Sequence, residues 1–233
     1  SRPSIDPLAS YLYAIKNMQR LPLFIGSCVH ETIEKTLKDY MREKNDFPTP
    51  DSLVAKAIAH FNLGIEESKA EQWRTSPKKH LNLFEHYYNL PVADSILQEA
   101  RQKIELCITN WVTSPIIKML FDTRAHILSV EEMGTFQLAD KYKIIVVVDL
   151  AIKWKNSNED IYILFDWKTG QKSKKTDEQL YAYALFASKV WKAPHDNIIL
   201  SPFYLLSNEY MKLGHRQKEP IAKEKLVQVE NEI

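Results

Sequence analysis

Two acidic residues and a lysine lie within or at the end of two neighbouring apolar segments of the sequence. Asp149 interrupts "IIVVVDLAI", and Asp166 and Lys168 close "IYILFDWK". If these segments form a hairpin whose turn is centred between Ser157 and Asn158, Asp149 lies directly opposite Asp166. Opposite residues of an antiparallel pair share a face of the sheet, and so does the residue two positions further along a strand. The pattern predicts two carboxylates and one ammonium group on one face, provided that the register does not slip by one residue.

Two carboxylates that face each other repel, and a divalent cation removes that repulsion. Oxygen ligands suit Mg²⁺ or Mn²⁺. Lys168 beside the ion could orient a water or stabilise negative charge on a phosphate. In the structural alternative, Lys168 or Lys153 neutralises Asp149, and Asp166 only ends a strand. Both interpretations stay open here, although the cost of burying a lone carboxylate favours the functional one.

A histidine lies on the inward face of the first predicted helix. His30 and Glu34 share that face with Leu37, at the spacing of successive helical turns. His30 is either a core histidine or a nitrogen ligand of the same metal. The segment "HETIE" has Glu34 where the zinc-protease pattern H-E-x-x-H has its second histidine, and this excludes that kind of site.

A glutamine and a tyrosine follow one turn apart on the last predicted helix. Gln179 could position a water or a phosphate, and Tyr183 could contact substrate. The structural alternative makes "TDEQ" a capping box with Thr176 as N-cap, and makes Tyr183 a core residue.

Lysines crowd the junction between the last central strand and this helix: Lys168, Lys172, Lys174 and Lys175. Such a run is commonly a solvated loop. Here it precedes a helix N-terminus, which favours anions, so a phosphate backbone could bind there.

The elements that position these residues change in character along the chain. Helical periodicity predicts helices over residues 26–45, 51–73 and 91–114, the last beginning at Pro91. Strands rich in β-branched and aromatic residues are predicted over 125–138, 141–155, 160–168 and 197–206, with a helix over 176–191 before the last strand. This order predicts an α/β or α+β domain with a sheet flanked by helices.

Composition limits the class of protein. A net charge of +1 over 233 residues gives no global basic field, so positive charge for a polyanion must be local. Two cysteines, Cys28 and Cys107, cannot form a four-thiolate cluster and suit a reducing compartment. No segment has the roughly 18 consecutive apolar residues of a membrane span. We expect a soluble, cytoplasmic protein without membrane contact.

Taken in order, these motifs resemble the RecB-type branch of the PD-(D/E)XK nuclease superfamily. That branch has G-x-x-x-H on a helix, an Asp in a core strand, D/E-x-K in the next strand and Q-x-x-x-Y on the following helix. The corresponding residues are Gly26 and His30, Asp149, Asp166 and Lys168, and Gln179 and Tyr183. The resemblance implies a restriction-endonuclease-like core within a single domain over residues 1–210, a helical insertion over about 47–121 and a polar tail over 211–233.

The resemblance also implies roles. His30, Asp149, Asp166 and the Trp167 backbone carbonyl would hold Mg²⁺ or Mn²⁺; Lys168 would assist the attacking water, and Gln179 and Tyr183 would place water and substrate. Val148 stands where a proline often precedes the strand Asp, and the cysteine count predicts that the iron–sulfur cluster of some relatives is absent. The roles of Glu131 and Glu132 stay open.

The implied function is a divalent-metal-dependent deoxyribonuclease, of the exonuclease and DNA-repair kind. Two alternatives remain. One is a nucleic-acid-binding module of the same fold that does not cut. The other is a scaffold whose aromatic segment "HLNLFEHYYNL" contacts a protein partner or a neighbouring domain, as part of a larger repair or defence complex.

Overall fold

The computed structural model of the protein describes residues 6–43, 47–138, 142–157, 159–171 and 174–210; the side chains of residues 138 and 174–177 are not described. The chain divides into two compact units. The first comprises Ser1–Thr32 and Pro48–Thr109, and the second comprises Ile33–Phe47 and Asn110–Ile233.

The first unit is helical. It contains α1 (Pro7–Lys16), α3 (Pro50–Lys69), a 3₁₀ turn (Gln72–Arg74) and the short α4 (Phe84–Tyr87), together with the first part of α2 (Leu21–Glu43) and most of α5 (Asp94–Val112). The N-caps of α1 and α3 explain where these helices begin. Asp6 accepts a hydrogen bond from the Leu8 amide at 3.0 Å, and Thr49 accepts one from the Ser52 amide at 3.3 Å. Each helix then opens with a proline, which fits a first helical position.

The second unit holds the sheet. After α6 (Pro115–Leu120) come β1 (Ala125–Leu138), β2 (Tyr142–Lys155) and β3 (Asp160–Lys168), then α7 (Lys174–Val190), a 3₁₀ turn (His195–Asn197), β4 (Ile198–Tyr204) and β5 (Glu209–Tyr210). The strands lie in sequence order. β3 and β4 are parallel and joined by α7, and the other neighbouring pairs are antiparallel.

The central strand β3 is buried on both faces. Tyr162 and Leu164 belong to the core that packs against Leu180 and Tyr183 of α7. On the other face, the rings of Phe165 and Trp167 stack with their centroids 5.5 Å apart. Because side chains alternate along a strand, Asp166 and Lys168 follow Tyr162 and Leu164 to the face that α7 covers.

Strand bounds and register follow the sequence closely. The observed bounds of β1 and β3 are those predicted, and the pairs Leu150↔Phe165 and Lys155↔Asp160 confirm the predicted hairpin register. The mixed sheet flanked by helices is also as predicted.

Helix starts are less accurate. α5 begins at Asp94 rather than Pro91, because an acidic residue suits the first turn of a helix. α7 begins at Lys174, two residues before the predicted start, and α1, α4, α6 and β5 were not predicted.

The division into one domain with an insertion stays a prediction, and the predicted tail, residues 211–233, lies outside the described residues. In the described part of the chain, none of the helices combines the length and apolar character needed to cross a membrane.

Candidate active site

The two aspartates of the predicted site lie directly after the last hydrogen-bonded pair of β2 and β3. The last pair of the ladder, Leu150↔Phe165, is followed on both strands by the acids, Asp149 and Asp166. The Trp167 amide donates a hydrogen bond to Oδ2 of Asp149 at 2.5 Å, which ties the Asp149 carboxylate to β3. Both acids are buried, with 5% and 1% of their surface exposed. The hairpin therefore places two carboxylates in a low-dielectric environment, where charge must be compensated.

Lys168 supplies part of that compensation. Its Nζ lies 2.8 Å from Oδ2 and 3.0 Å from Oδ1 of Asp166, and its side chain is 24% exposed. The same ammonium donates to Oε1 of Gln179 at 2.8 Å. On β2, Lys153 pairs instead with Asp160 at 2.6 Å. Lys168 thus pairs with Asp166 and Lys153 with Asp160, whereas the structural alternative expected one of these lysines to neutralise Asp149; Lys168 stays partly open to solvent.

Gln179 and Tyr183 close the network from α7. Nε2 of Gln179 donates to the Tyr183 hydroxyl at 2.6 Å, and that hydroxyl donates to Oδ1 of Asp166 at 3.5 Å. Burial raises the pKa of Tyr183 above its ordinary value, and the charges of Asp149 and Asp166 raise it further, so the phenol keeps its proton. Asp166, Lys168, Gln179 and Tyr183 thus form a closed ring of side chains.

The capping-box interpretation of Gln179 is wrong. α7 begins at Lys174, so Thr176 lies inside the first turn and is not the N-cap. The Gln179 amide contacts Lys168 and Tyr183. Its role in positioning a water or a phosphate stays a prediction.

Glu131 is a third acid at the same place. The flanking pairs Val130↔Leu150 and Glu132↔Val148 put it opposite Asp149, and carboxylate oxygens of the two acids lie within 4.8 Å of each other. Its φ of 49° is left-handed, which is strained for a residue with a side chain and recurs at functional sites. Glu132 is exposed. The roles of Glu131 and Glu132 could not be decided from the sequence. The feature that could have indicated a functional acid there is an acidic pair inside an otherwise regular strand.

The face to which β2 side chains point shifts beside these acids. Val148 and Ala151 both belong to the core against α7 although they are three residues apart, which the simple alternation of a strand does not allow. Asp149 lies within this shift, and left-handed Glu131 faces it from β1. Both carboxylates, like that of Asp166, lie close enough to Tyr183 for their charges to raise the pKa of its hydroxyl.

The donor set suits a divalent cation. Glu131, Asp149 and Asp166 bring three carboxylates, and Lys168 brings one ammonium group, so a divalent cation would balance the charge of this set. Carboxylate oxygens are the ligands that hard cations such as Mg²⁺ prefer. This is the arrangement in which a metal ion and a lysine can share a phosphate oxygen.

The remaining predicted site residues have different outcomes. His30 lies on α2 and is half-buried; Glu34, one turn later, pairs with Lys38 at 2.7 Å. The His30 and Trp167-carbonyl ligand roles stay predictions. Lys172 lies outside the described residues. Lys174 and Lys175 are the first two residues of α7, and their phosphate-binding role also stays a prediction.

Comparison with known proteins agrees with this geometry. No curated protein matches the chain. A family model does match, that of the PD-(D/E)XK nuclease superfamily, whose members are in general nucleases that use divalent metals, and the match runs over residues 8–232. Because this covers almost the whole sequence, the chain belongs to the PD-(D/E)XK nuclease superfamily.

Proposed function

We propose that the protein is a divalent-metal-dependent deoxyribonuclease that hydrolyses phosphodiester bonds. One observation carries this proposal: Lys168 joins the buried acid Asp166 to Gln179, beside Asp149 on the neighbouring strand. A lysine that only closed a strand would have no need of an amide partner from a helix. The family match supports the nuclease class.

Asp149, Asp166 and Glu131 are the proposed carboxylate ligands. We propose His30 as the nitrogen ligand and the Trp167 carbonyl as a further oxygen ligand, both from the sequence motifs. When bound, a divalent cation supplies a Lewis acid at the scissile phosphate. Mg²⁺ and Mn²⁺ are the proposed ions, since carboxylate oxygens suit both and a nitrogen ligand favours Mn²⁺.

The side chains have distinct roles in the hydrolysis. A water oxygen forms a bond to phosphorus and the water gives up one proton; the bond from phosphorus to the 3′-oxygen breaks, and the leaving 3′-oxygen takes up one proton. Lys168 is partly exposed, so its Nζ can donate to a phosphate oxygen and stabilise the added negative charge. Gln179 is a positioning residue, because its Oε1 fixes the direction of the lysine. Tyr183 keeps its proton and serves as a hydrogen-bond donor.

The finer features of the proposal come from the sequence. Four motifs in order support the RecB-type branch, and with it an exonuclease of DNA repair that acts on DNA rather than RNA. The lysines at residues 172, 174 and 175 are the proposed contacts to the phosphate backbone. The cysteine content suits the cytoplasm, and a protein partner is consistent with a larger repair or defence complex.

A cleavage assay tests the proposal. End-labelled linear DNA, circular DNA and matched RNA are incubated with the protein in Mg²⁺, Mn²⁺ or EDTA. Lys168→Ala, Asp149→Asn and Asp166→Asn are each expected to lose about 100-fold or more in rate, the cost of removing a charge-stabilising group. The matched control is Lys153→Ala, which breaks a surface ion pair with Asp160 on the same hairpin and is expected to cut normally.

The outcomes separate the alternatives. Normal cleavage by Lys168→Ala would overturn the assignment of the site. DNA binding without cleavage under every metal condition would favour the non-cutting binding module. Cleavage of circular DNA would replace the exonuclease with an endonuclease.

A further inference from the structure

Aromatic side chains form a connected group on the first unit, formed by α1, the first 3₁₀ turn and α4. The ring centroids of Trp73 and Tyr87 are 5.6 Å apart, those of Tyr87 and Tyr88 are 4.9 Å apart, and those of Phe84 and Tyr88 are 4.7 Å apart. The hydroxyls of Tyr11 and Tyr87 lie 2.9 Å apart and attach Tyr11 to the group. We call these five residues the aromatic surface.

Two of these five residues are exposed to solvent, whereas Trp73 is buried beneath them. Tyr88 is 54% exposed and Tyr11 is 46% exposed. Beside Tyr11 lies a cavity of about 200 Å³, lined by Pro7, Ser10, Tyr11, Ala14, Trp73 and Arg74. Small-molecule sites occupy roughly 300 to 1,000 Å³. The cavity is smaller than that, so it suits a single planar ring rather than a whole cofactor.

Cationic groups lie against the aromatic surface. The Arg74 guanidinium lies 4.3 Å from the centre of the Trp73 ring, and that of Arg20 lies 4.6 Å from the centre of the Phe84 ring. Arg74 also donates two hydrogen bonds to Glu71. A guanidinium has five N–H donors, so three remain for another acceptor. Lys78 adds a further positive charge near Tyr13.

Two exposed tyrosine rings, with guanidinium groups stacked over the neighbouring Trp73 and Phe84 rings, have the chemistry that binds unpaired bases. Each base stacks on an aromatic face, and Arg and Lys contact the phosphates between bases. A duplex keeps the faces of its bases covered, so it gains little from such a surface. An acidic peptide would use the cations but not the flat faces of Tyr11 and Tyr88.

We infer that the aromatic surface of the first unit binds single-stranded nucleic acid, with one base in the cavity beside Tyr11 and another stacked on Tyr88. The inference rests on the proposed function for the identity of the ligand as nucleic acid. It adds a second binding site, on the first unit, to the acidic cluster formed by Glu131, Asp149 and Asp166, and it adds a preference for unpaired strands.

Fluorescence anisotropy tests the inference with the full chain in EDTA, so that no strand is cut. The probes are a labelled oligothymidylate and a duplex of the same length. The parent protein is expected to bind the single strand more tightly. Tyr88→Ala and Tyr11→Ala are each expected to weaken this binding by about 5-fold to 150-fold, the loss of one stacked base. Tyr88→Phe keeps the ring and is expected to keep the affinity.

Two exposed residues outside this surface provide matched controls. Tyr142→Ala removes an exposed tyrosine from β2, and Lys56→Ala removes an exposed lysine from α3. Both are expected to bind like the parent. Lys78→Ala is expected to lower the slope of log affinity against log salt by about 0.7, the contribution of one phosphate contact on a single strand. Melting temperatures of all variants check that they are folded.

Parent-like affinity in Tyr88→Ala and Tyr11→Ala would overturn the inference, as would equal binding of duplex and single strand. Failure to bind either nucleic acid would also overturn it and leave the surface to a protein partner. Tight, tyrosine-dependent binding by a protein that never cuts would uphold the inference while removing the proposed nuclease activity. Cleavage together with nucleic-acid binding that does not depend on Tyr11 or Tyr88 would uphold the nuclease activity and overturn the inference.

Discussion

Glu131 combines a functional position with an unfavourable backbone. Its left-handed φ costs an ordinary residue roughly 1–2 kcal/mol, and glycine would avoid that cost. The gain from having a glutamate there is a carboxylate opposite Asp149. Strain that persists beside buried acids is best explained by the position that it gives to a side chain.

Two substitutions distinguish the effect of the backbone strain at Glu131 from the effect of its carboxylate. Glu131→Gln and Glu131→Gly both remove the charge, but only glycine removes the strain. We expect Glu131→Gly to be about 1 kcal/mol more stable than Glu131→Gln in urea unfolding with EDTA. Both variants are expected to need more metal for half-maximal cleavage. Thr135→Gly, at an ordinary exposed position of β1, is the control and is expected to lose stability.

If Glu131→Gly cut DNA at the metal concentration that suffices for the parent, the carboxylate would have no part in the site. Equal stabilities of Glu131→Gly and Glu131→Gln would show that the backbone there is unstrained.

At the scale of elements, the hairpin of β1 and β2 packs directly on α7. Phe136, Val146 and Val148 of the hairpin share a core with Phe186 of α7. Gly134 allows the close approach, because a Cβ atom there would lie 2.3 Å from the Phe186 ring. This contact fixes the helix that carries Gln179 and Tyr183 against the strands that carry the acids.

Gly134→Ala is therefore expected to destabilise the protein by about 1–3 kcal/mol, the cost of overpacking a core. Phe186→Leu in the same chain is expected to recover part of the loss, and a double-mutant cycle from urea unfolding measures this coupling. Gly170→Ala is the matched control. A Cβ atom there meets nothing within 4 Å, so we expect a change within about 0.5 kcal/mol. Additive effects of the Gly134 and Phe186 substitutions would contradict the proposed clash.

The sequence predicts this part of the protein well for a physical reason. The register of a hairpin follows from the centre of its turn, so the residue pattern alone was enough to predict the pairs from Leu150↔Phe165 to Lys155↔Asp160. The position of Glu131 could not be predicted, because it depends on a left-handed residue and on a shift of alternation shared by two strands. Short elements such as α6 and β5 carry too few residues to show a period.

At the scale of the whole molecule, the net charge of +1 does not describe the local charges. The second unit contains an acidic cluster, and the first contains an aromatic surface with cations. The acidic cluster brings like charges together, so binding of a cation should stabilise the folded chain. The extent follows RT ln(1 + [L]/Kd), which is about 2.7 kcal/mol at one hundred times Kd.

Melting curves in Mn²⁺ and in EDTA measure this stabilisation. We expect Mn²⁺ to raise the melting temperature of the parent and to have a much smaller effect on Asp149→Asn and Asp166→Asn. His30→Ala should also respond less while keeping its melting temperature in EDTA, if the imidazole is a ligand. Asp160→Asn removes an acid from the same hairpin but outside the cluster, so its response should equal that of the parent. A parent-like response of His30→Ala would remove His30 from the ligand set.

The parallel pairing of β3 with β4 also matters while the chain is being synthesised. β1, β2 and β3 emerge in succession and pair antiparallel, whereas β4 emerges only after the whole of α7. Until then, the edge of β3 from Tyr162 to Lys168 lacks the neighbouring strand that it later acquires. An apolar strand edge is a template for pairing with other chains. We therefore expect nascent chains that stall within α7 to carry the acids and the lysine already, but to expose the β3 edge to pairing with other chains.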